Sequence, residues 1–231
     1  MADTPPFTTL ARAKVNLTLR VHGRRADGFH ELDSVVAFAD IGDAVTLVAG
    51  APIGVAMRGP FASAIGGENL AQRALSLAAA AAPELQLGHV TIDKQIPVAA
   101  GLGGGSADAA AVLRLIQRAN PAHAARHDWL ALAAGLGSDV PVCFADRACR
   151  MSGRGEIVEP IGVLPPLPAV LINPQVPVPP NKTRAVFTQL AAPPLGDSHL
   201  LCSVTGSQSA GTAIGGSPHF RSEPLPQTTL E

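Results

Sequence analysis

Tyrosine is absent from this chain, tryptophan occurs once, and the aromatic content rests on seven phenylalanines. A protein that binds single-stranded nucleic acid stacks bases on several aromatic platforms, and this chain has few to offer. Charge of one sign is equally scarce. With 17 basic and 18 acidic residues the net charge is −1, which argues against a polyanion-binding or membrane-surface protein. No apolar run reaches the ~20 residues of a membrane span, since Ala78 to Pro83 is short and ends in proline. The first residues, Met1-Ala-Asp-Thr-Pro-Pro6, have neither a basic nor an apolar leader region, so a cytoplasmic protein is expected. Cys143, Cys149 and Cys202 are odd in number and lack metal-ligand spacing, which favours free, buried thiols over disulfides.

What is present is apolar and small. Hydrophobic residues make up 47% of 231 positions, mostly as Ala, Leu and Val, enough for one large or two small folded domains. The most informative stretch runs from Lys94 to Leu113. A β-type lead-in at Val90 to Ile92 meets a proline, then Gly101, Gly103, Gly104 and Gly105, then an alanine-rich run, Ala107 to Arg118, with helical character. Glycines without Cβ atoms permit positive φ and let an oxyanion approach the backbone N–H groups. Ser106 stands where the helix is expected to begin, and a helix N-terminus favours an anion through its free N–H groups and its dipole. A glycine turn with Ser106 as an ordinary N-cap is the plainer reading. No Gly-Lys-Ser/Thr follows the glycines, and no acidic residue lies about 20 positions on after a strand, so neither a Walker loop nor a dinucleotide fold fits.

Pro97-Val-Ala-Ala-Gly-Leu-Gly-Gly-Gly-Ser-Ala107 resembles the central phosphate-binding motif of the GHMP small-molecule kinases. Ala11-Arg-Ala-Lys-Val-Asn-Leu-Thr-Leu19, Gly23-Arg-Arg-Ala-Asp-Gly-Phe-His-Glu-Leu32 and Leu136-Gly-Ser-Asp-Val-Pro-Val-Cys-Phe144 narrow the resemblance to the branch of that family acting on 4-diphosphocytidyl-2-C-methyl-D-erythritol in the non-mevalonate isoprenoid pathway. It covers about residues 8 to 190. It implies an α+β, two-domain GHMP kinase fold: an ATP-binding domain of the ribosomal protein S5 domain 2-like type over 1–162, the start of a ferredoxin-like domain over 163–195, and an atypical tail over 196–231. ATP and Mg²⁺ are the implied cofactors, and the implied partner is the small-molecule substrate rather than nucleic acid or membrane.

Residue roles follow from that resemblance, each beside an ordinary alternative. Residues 7 to 22 alternate as a strand, with Lys14 and Asn16 two apart and so on one face. Lys14 reads as a solvated strand lysine, or by resemblance as the cation beside the transferring phosphoryl group, with Asn16 orienting the alcohol. Phe29 and His30 follow a turn; His30 reads as structural, but in the family this segment meets the cytidine, Phe29 by stacking. Asn69 reads as the N-cap of a helix over Leu70 to Ala82, and by resemblance as an adenine contact. Pro97, Val98, Ala99, Ala100, Gly101, Leu102, Gly103, Gly104, Gly105, Ser106 and Ala107 are the implied ATP loop, with Ser106 also the protein ligand of Mg²⁺. Asp108 reads as a first-turn carboxylate favoured by the helix dipole. Asp139 reads as an N-cap, and by resemblance as the catalytic base, paired with Lys14.

Coarser expectations complete the chain. Val35 to Phe38 and Ala44 to Val48 read as two strands joined by a turn at Asp40 to Asp43; 126–136 as a helix; 147–161 as strands around a turn at Gly153 to Gly155, where Arg154 reads as exposed. Leu164 to Pro168 reads as a linker, Val170 to Asn173 as a strand, and Asn181 to Leu190 as a helix. Beyond Pro193 the composition turns to Ser, Gly, Thr, Pro and Gln without period and reads as coil. Gly211 to Ser217 lacks the order of the second glycine-rich segment that the resemblance implies. A truncated or frame-shifted reading of a longer gene would give that pattern. The alternatives to an active kinase are therefore an impaired nucleotide-binding remnant, or another GHMP activity.

Overall fold

The computed structural model describes residues 5–64, 69–174 and 182–195, all within one compact unit, Met1–Leu195. Gly66 to Glu68, Asn181, Cys202, Gly211 to Ser217 and the tail over 196–231 lie outside the described residues.

The sheet is organised around one long strand. β3 (His30–Ala49) pairs along one edge with β1 (Phe7–Asn16) and β2 (Arg20–Arg24), and along the other with β5 (Gly88–Asp93) and β6 (Cys149–Gly153). All four pairings are antiparallel; β4 (Gly54–Arg58) adds in parallel to β5, and β7 (Ile157–Pro160) closes the far edge beside β6.

This corrects the expectation of two strands joined by a turn. Asp40 to Asp43 lies inside β3, where the pairing with β1 slips from Arg12 opposite Gly42 to Lys14 opposite Phe38. The turn-rich composition serves a β-bulge. A Cβ on Gly42 would meet Ala11 O at 2.4 Å, so the bulged strand needs glycine there. The single strand expected over 7–22 is likewise broken between β1 and β2, where the N–H groups of Leu17 and Thr18 both turn to Val35 O.

One face of the sheet carries the helices. α1 (Leu70–Ala81), α2 (Gly104–Ala119), the short α3 (Pro121–Ala124), α4 (Trp129–Leu136) and α5 (Val140–Ala145) follow in order. α2 is central: Ala107, Ala109, Ala110 and Ala111 are buried, as are Leu113, Leu115 and Ile116. Alanines let α2 approach β1, α1 and α5 closely, while each buried leucine or isoleucine contributes about 1.5–3 kcal/mol. The helix expected over 126–136 begins only at Trp129, because Asp128 caps it through a bond from Ala131 N at 2.9 Å. Residues 161–174 have no regular structure, so Val170 to Asn173 is not a strand; Val170 and Ile172 are 84% and 87% exposed, with no strand paired to them among the described residues. α6 (Lys182–Leu190) forms close to its expected span. No described helix is long and apolar enough to cross a membrane.

Candidate active site

The glycine loop joins β5 to α2, and its helix starts earlier than expected. Gly104 is the first helical residue, and Gly103 is the N-cap in a left-handed conformation at φ 66°, with no side-chain cap. Ser106 is therefore the third residue of α2 rather than its cap. The first N–H bonded back along the helix is that of Ala107, to Gly103 O at 2.8 Å. The N–H groups of Gly104, Gly105 and Ser106 precede it, in the turn that lacks intrahelical acceptors. Alternate residues Ala99, Gly101 and Gly103 take positive φ of 59°, 80° and 66°. That alternation turns successive N–H groups toward one side, the geometry of an anion-binding nest. Pro97 and Ala100 are half-buried, Val98 is exposed at the tip, and Ala107 is buried beneath the loop.

Leu102 connects the loop to β1, its carbonyl accepting from Lys14 N at 2.9 Å. A Cβ on Gly103 would lie 3.3 Å from Lys14 Cβ and 3.4 Å from its Cε, so the lysine stem runs against the loop. Lys14 is only 5% exposed. Its Nζ donates to Asn16 Oδ1 at 2.7 Å and stands 3.5 Å from Asp139 Oδ1. Asn16 Nδ2 in turn donates to Ser34 Oγ at 2.6 Å, and Ser34 Oγ to Thr18 O at 2.5 Å. Lys14 is thus buried and oriented rather than solvated. Asp139 holds the N-cap position of α5 but makes no side-chain cap bond, and its side chain is 40% exposed. The carboxylate is free for a ligand, and Lys14 faces it.

Asn69 caps α1, its Oδ1 accepting from Ala71 N at 2.9 Å. The next residue, Leu70, comes within 3.8 Å of a Cβ on Gly105, which brings the start of α1 beside the start of α2.

Beneath the loop lies a buried ion network that the sequence reading missed. Lys94 Nζ donates to Asp43 Oδ2 at 2.5 Å and to Asp108 Oδ2 at 2.7 Å, and all three side chains are buried. Asp43 Oδ1 also accepts from Gln95 N and Ile96 N at 2.6 and 2.8 Å. Asp108, the fifth residue of α2 and buried, is therefore a core residue rather than the first-turn carboxylate expected from the sequence. One lysine faces two carboxyl groups. Asp43 already accepts from three donors, while Asp108 Oδ1 has no partner among the described residues. Burial, opposed by Lys94 and reinforced by Asp43, pushes Asp108 up to about 7. The lysine itself is raised, because the two carboxylates outweigh its burial. Nothing local in the sequence marks the three as partners, since Asp43 lies on β3, Lys94 just past β5 and Asp108 on α2.

Phe29 and His30 lie at the other end of the site, where β2 turns into β3. Phe29 is 49% exposed, and the Arg154 guanidinium stands 4.9 Å from its ring centroid. His30 stacks on Phe187 of α6 at 4.6 Å between centroids. Phe187 was not singled out in the sequence, being more than 150 residues from the histidine it meets. Cys143 and Cys149 are buried and free; burial, with Asp139 adding, pushes the Cys143 thiol up to about 12, which leaves it protonated and unreactive.

Residues 69–147, from the cap of α1 to just past α5, match the GHMP kinases N terminal domain, and a kinase of that class is what the loop and its helix define. A 4-diphosphocytidyl-2-C-methyl-D-erythritol kinase from a Bradyrhizobium species is 49% identical over 218 residues, covering 91% of this chain and 70% of the relative. One from Rhodopseudomonas palustris is 52% identical over 182 residues, covering 78% and 60%. A crystal structure of 4-(cytidine 5'-diphospho)-2C-methyl-D-erythritol kinase superposes with a TM-score of 0.63 at 40% identity, over 79% of this chain and 63% of that one. The chain belongs to the 4-diphosphocytidyl-2-C-methyl-D-erythritol kinase family. It spans about 60–70% of the length of these relatives.

Proposed function

We propose that this chain transfers the γ-phosphoryl group of ATP to the 2-hydroxyl of 4-diphosphocytidyl-2-C-methyl-D-erythritol. The observation that carries the reading is Lys14 Nζ held 3.5 Å from the uncapped Asp139 carboxylate, on a strand bonded to the glycine loop. Asp139 accepts the hydroxyl proton as the oxygen attacks the γ-phosphorus, and the bond from that phosphorus to the β,γ-bridging oxygen breaks with its electron pair passing to ADP. Lys14 stabilises the charge on the attacking oxygen and the transferring group. The N–H groups of Gly101 to Ser106 hold the preceding phosphates, and Asn16, fixed by Ser34, orients the alcohol.

Mg²⁺ fits the residues present. Ser106 lies in the first turn of α2, its hydroxyl without a hydrogen-bond partner among the described residues, and no cluster of three or more metal-ligating side chains exists among them. Magnesium held by phosphate oxygens, water and one hydroxyl needs no such cluster, and when bound it neutralises phosphate charge. Asn69, which caps α1 beside the start of α2, takes the adenine end in this reading.

The separation of the two ends supports the substrate class. Asn16 pairs with Val36 of β3 and Arg24 with His30, so the reacting end and the His30 end lie six β3 residues apart. At ~3.3 Å per residue that is about 20 Å. Such a span suits an acceptor whose base and hydroxyl are separated by a ribose, a diphosphate and a carbon chain, with Phe29 and His30 at the base. The test is phosphoryl transfer with Mg-ATP, comparing the chain with Asp139→Asn. We expect turnover in the parent chain and a loss of about 10²–10⁴-fold in the variant. ATP binding without turnover in the parent would overturn the catalytic assignment.

A further inference from the structure

The geometry points to Arg114 as a positioning residue that sets the separation of Lys14 and Asp139, an inference that rests on the phosphoryl-transfer reading above. Arg114 lies on α2, ten residues past Gly104 and about 15 Å along the axis from the phosphate loop. Its side chain is 15% exposed, and its guanidinium reaches two other elements. Nη1 donates to Cys143 O at 2.5 Å, and Nη2 donates to Leu10 O at 3.1 Å and stands 3.7 Å from Asp146 Oδ2. Cys143 is in the last turn of α5, where carbonyls lack intrahelical donors, and Asp146 is the C-cap of that helix. Leu10 is on β1, four residues before Lys14. One side chain therefore ties together the helix that begins at the phosphate loop, the strand that carries the lysine and the helix that begins at the aspartate.

The tie matters because it is a polar hold on α5, whose apolar side, Val140, Val142 and Cys143, is buried in the core. The helix is six residues long, and Asp139 at its start makes no side-chain cap bond. The carboxylate is thus placed by how the helix is held, by core packing of the adjacent Val140 and by polar bonds at the opposite end. Arg12 of β1 adds to it through Nε to Asp146 Oδ1 at 2.9 Å and through Nη2 to Asp146 O. Arg118, one turn further along α2, donates to Thr8 O at 3.1 Å and so joins α2 to β1 without reaching α5. It is the natural control.

The test compares Arg114→Met, Arg114→Lys and Arg118→Met in the full chain, each checked for folding by circular dichroism. For Arg114→Met we expect kcat to fall up to about 100-fold, the scale of an ångström-level misplacement, with the KM for ATP within twofold. Arg114→Lys recovers part of the loss, methylguanidine added to Arg114→Met recovers part of it, and Arg118→Met keeps the parent kcat. Hydrogen exchange gives a readout independent of turnover: amides of 140–146 exchange at least about 10-fold faster in Arg114→Met, while those of 107–113 keep their protection. Unchanged exchange in 140–146 would overturn the inference, as would kcat and ATP affinity falling together or an equal loss in Arg118→Met. A parent chain without turnover would refute the phosphoryl-transfer reading and with it the catalytic consequence, whereas the exchange pattern would still decide whether Arg114 holds α5.

Discussion

At the residue scale, Gly103 meets two demands at once. Its φ of 66° is left-handed, and a Cβ there would press on the Lys14 stem at 3.3 Å. Gly101 shares the first demand, at φ 80°, but a Cβ on it would meet nothing within 4 Å. Alanine at either position carries a left-handed penalty of about 1–2 kcal/mol. Only Gly103→Ala also displaces the lysine. Urea unfolding should therefore show similar destabilisation in the two variants, while kcat falls at least about 10-fold further in Gly103→Ala, the change expected from a shift of a reacting group by a few tenths of an ångström. Equal turnover in the two would mean that the lysine adjusts freely. The need for glycine at these positions was legible in the sequence, since four glycines in five residues before an alanine run have few uses. Which of them supports Lys14 was not, because that depends on a strand ninety residues earlier in the chain.

At the element scale, the Asp43–Lys94–Asp108 network staples the two ends of the phosphate loop to each other and to the bulge in β3. Lys94 precedes the loop, Asp108 follows it, and Asp43 takes the N–H groups of the residues at its entry. Lys94→Met leaves two buried carboxyl groups facing each other and should destabilise the chain by about 3–5 kcal/mol. The network also gives stability a defined pH dependence. Asp108 titrates at about 7 in the folded chain, raised first by burial, and near ~3.9 when unfolded. Between those values the folded state holds a proton that the unfolded state has lost, so this group's contribution declines as pH rises from about 4 to about 7 and is level above. Asp108→Asn removes that slope. Its stability relative to the parent should rise between pH 5 and 7 by about 1 kcal/mol per unit, read from urea midpoints at pH 5, 6, 7 and 8; parallel curves would show that Asp108 stays ionised throughout. Helices α1 and α2 and strands β5 to β7 were readable from period and glycine punctuation, because their signals are local. The continuity of β3 was not. Asp40 to Asp43 has turn chemistry, and pairing of Gly42 and Asp43 with β1, with β5 joining from Ala44 on, keeps it extended, a tertiary effect that overrides local preference. Asp43 and Lys94 have no role legible in the sequence, and Asp108 reads there only against the helix dipole, for the same reason, since burial of a charge becomes visible only when its partners are assembled.

At the scale of the whole molecule, the site is a line laid along β3, with phosphate chemistry at one end and an aromatic pair about 20 Å away at the other. The two ends share a sheet and one turn: Arg154 stands over Phe29, and a Cβ on the next residue, Gly155, would come 2.7 Å from Ser138 O, beside Asp139. His30 stacks on Phe187, and the backbone of the segment after α6 closes on the same corner, Arg24 N donating to Pro193 O at 2.8 Å and Leu195 N to Arg24 O at 2.9 Å. Among the described residues no hydrogen bond or ion pair joins His30, Phe187, Arg24, Pro193 or Leu195 to the glycine loop or the Lys14–Asp139 pair. Substitutions at the two ends should therefore act independently. Phe187→Ala removes the ring beside His30 and should raise the KM for the diphosphocytidyl substrate about 10-fold, the scale of an aromatic contact worth about 1 kcal/mol, while the KM for ATP is unchanged. Gly103→Ala should act on the phosphate end alone. In the double variant the two losses in kcat/KM, expressed as free energies, should add within about 0.5 kcal/mol, as expected of sites more than 7–10 Å apart with no shared partner. A coupling of 1 kcal/mol or more would mean that the sheet transmits strain from the base end to the reacting end, and that the substrate is sensed along its length rather than held at two separate points.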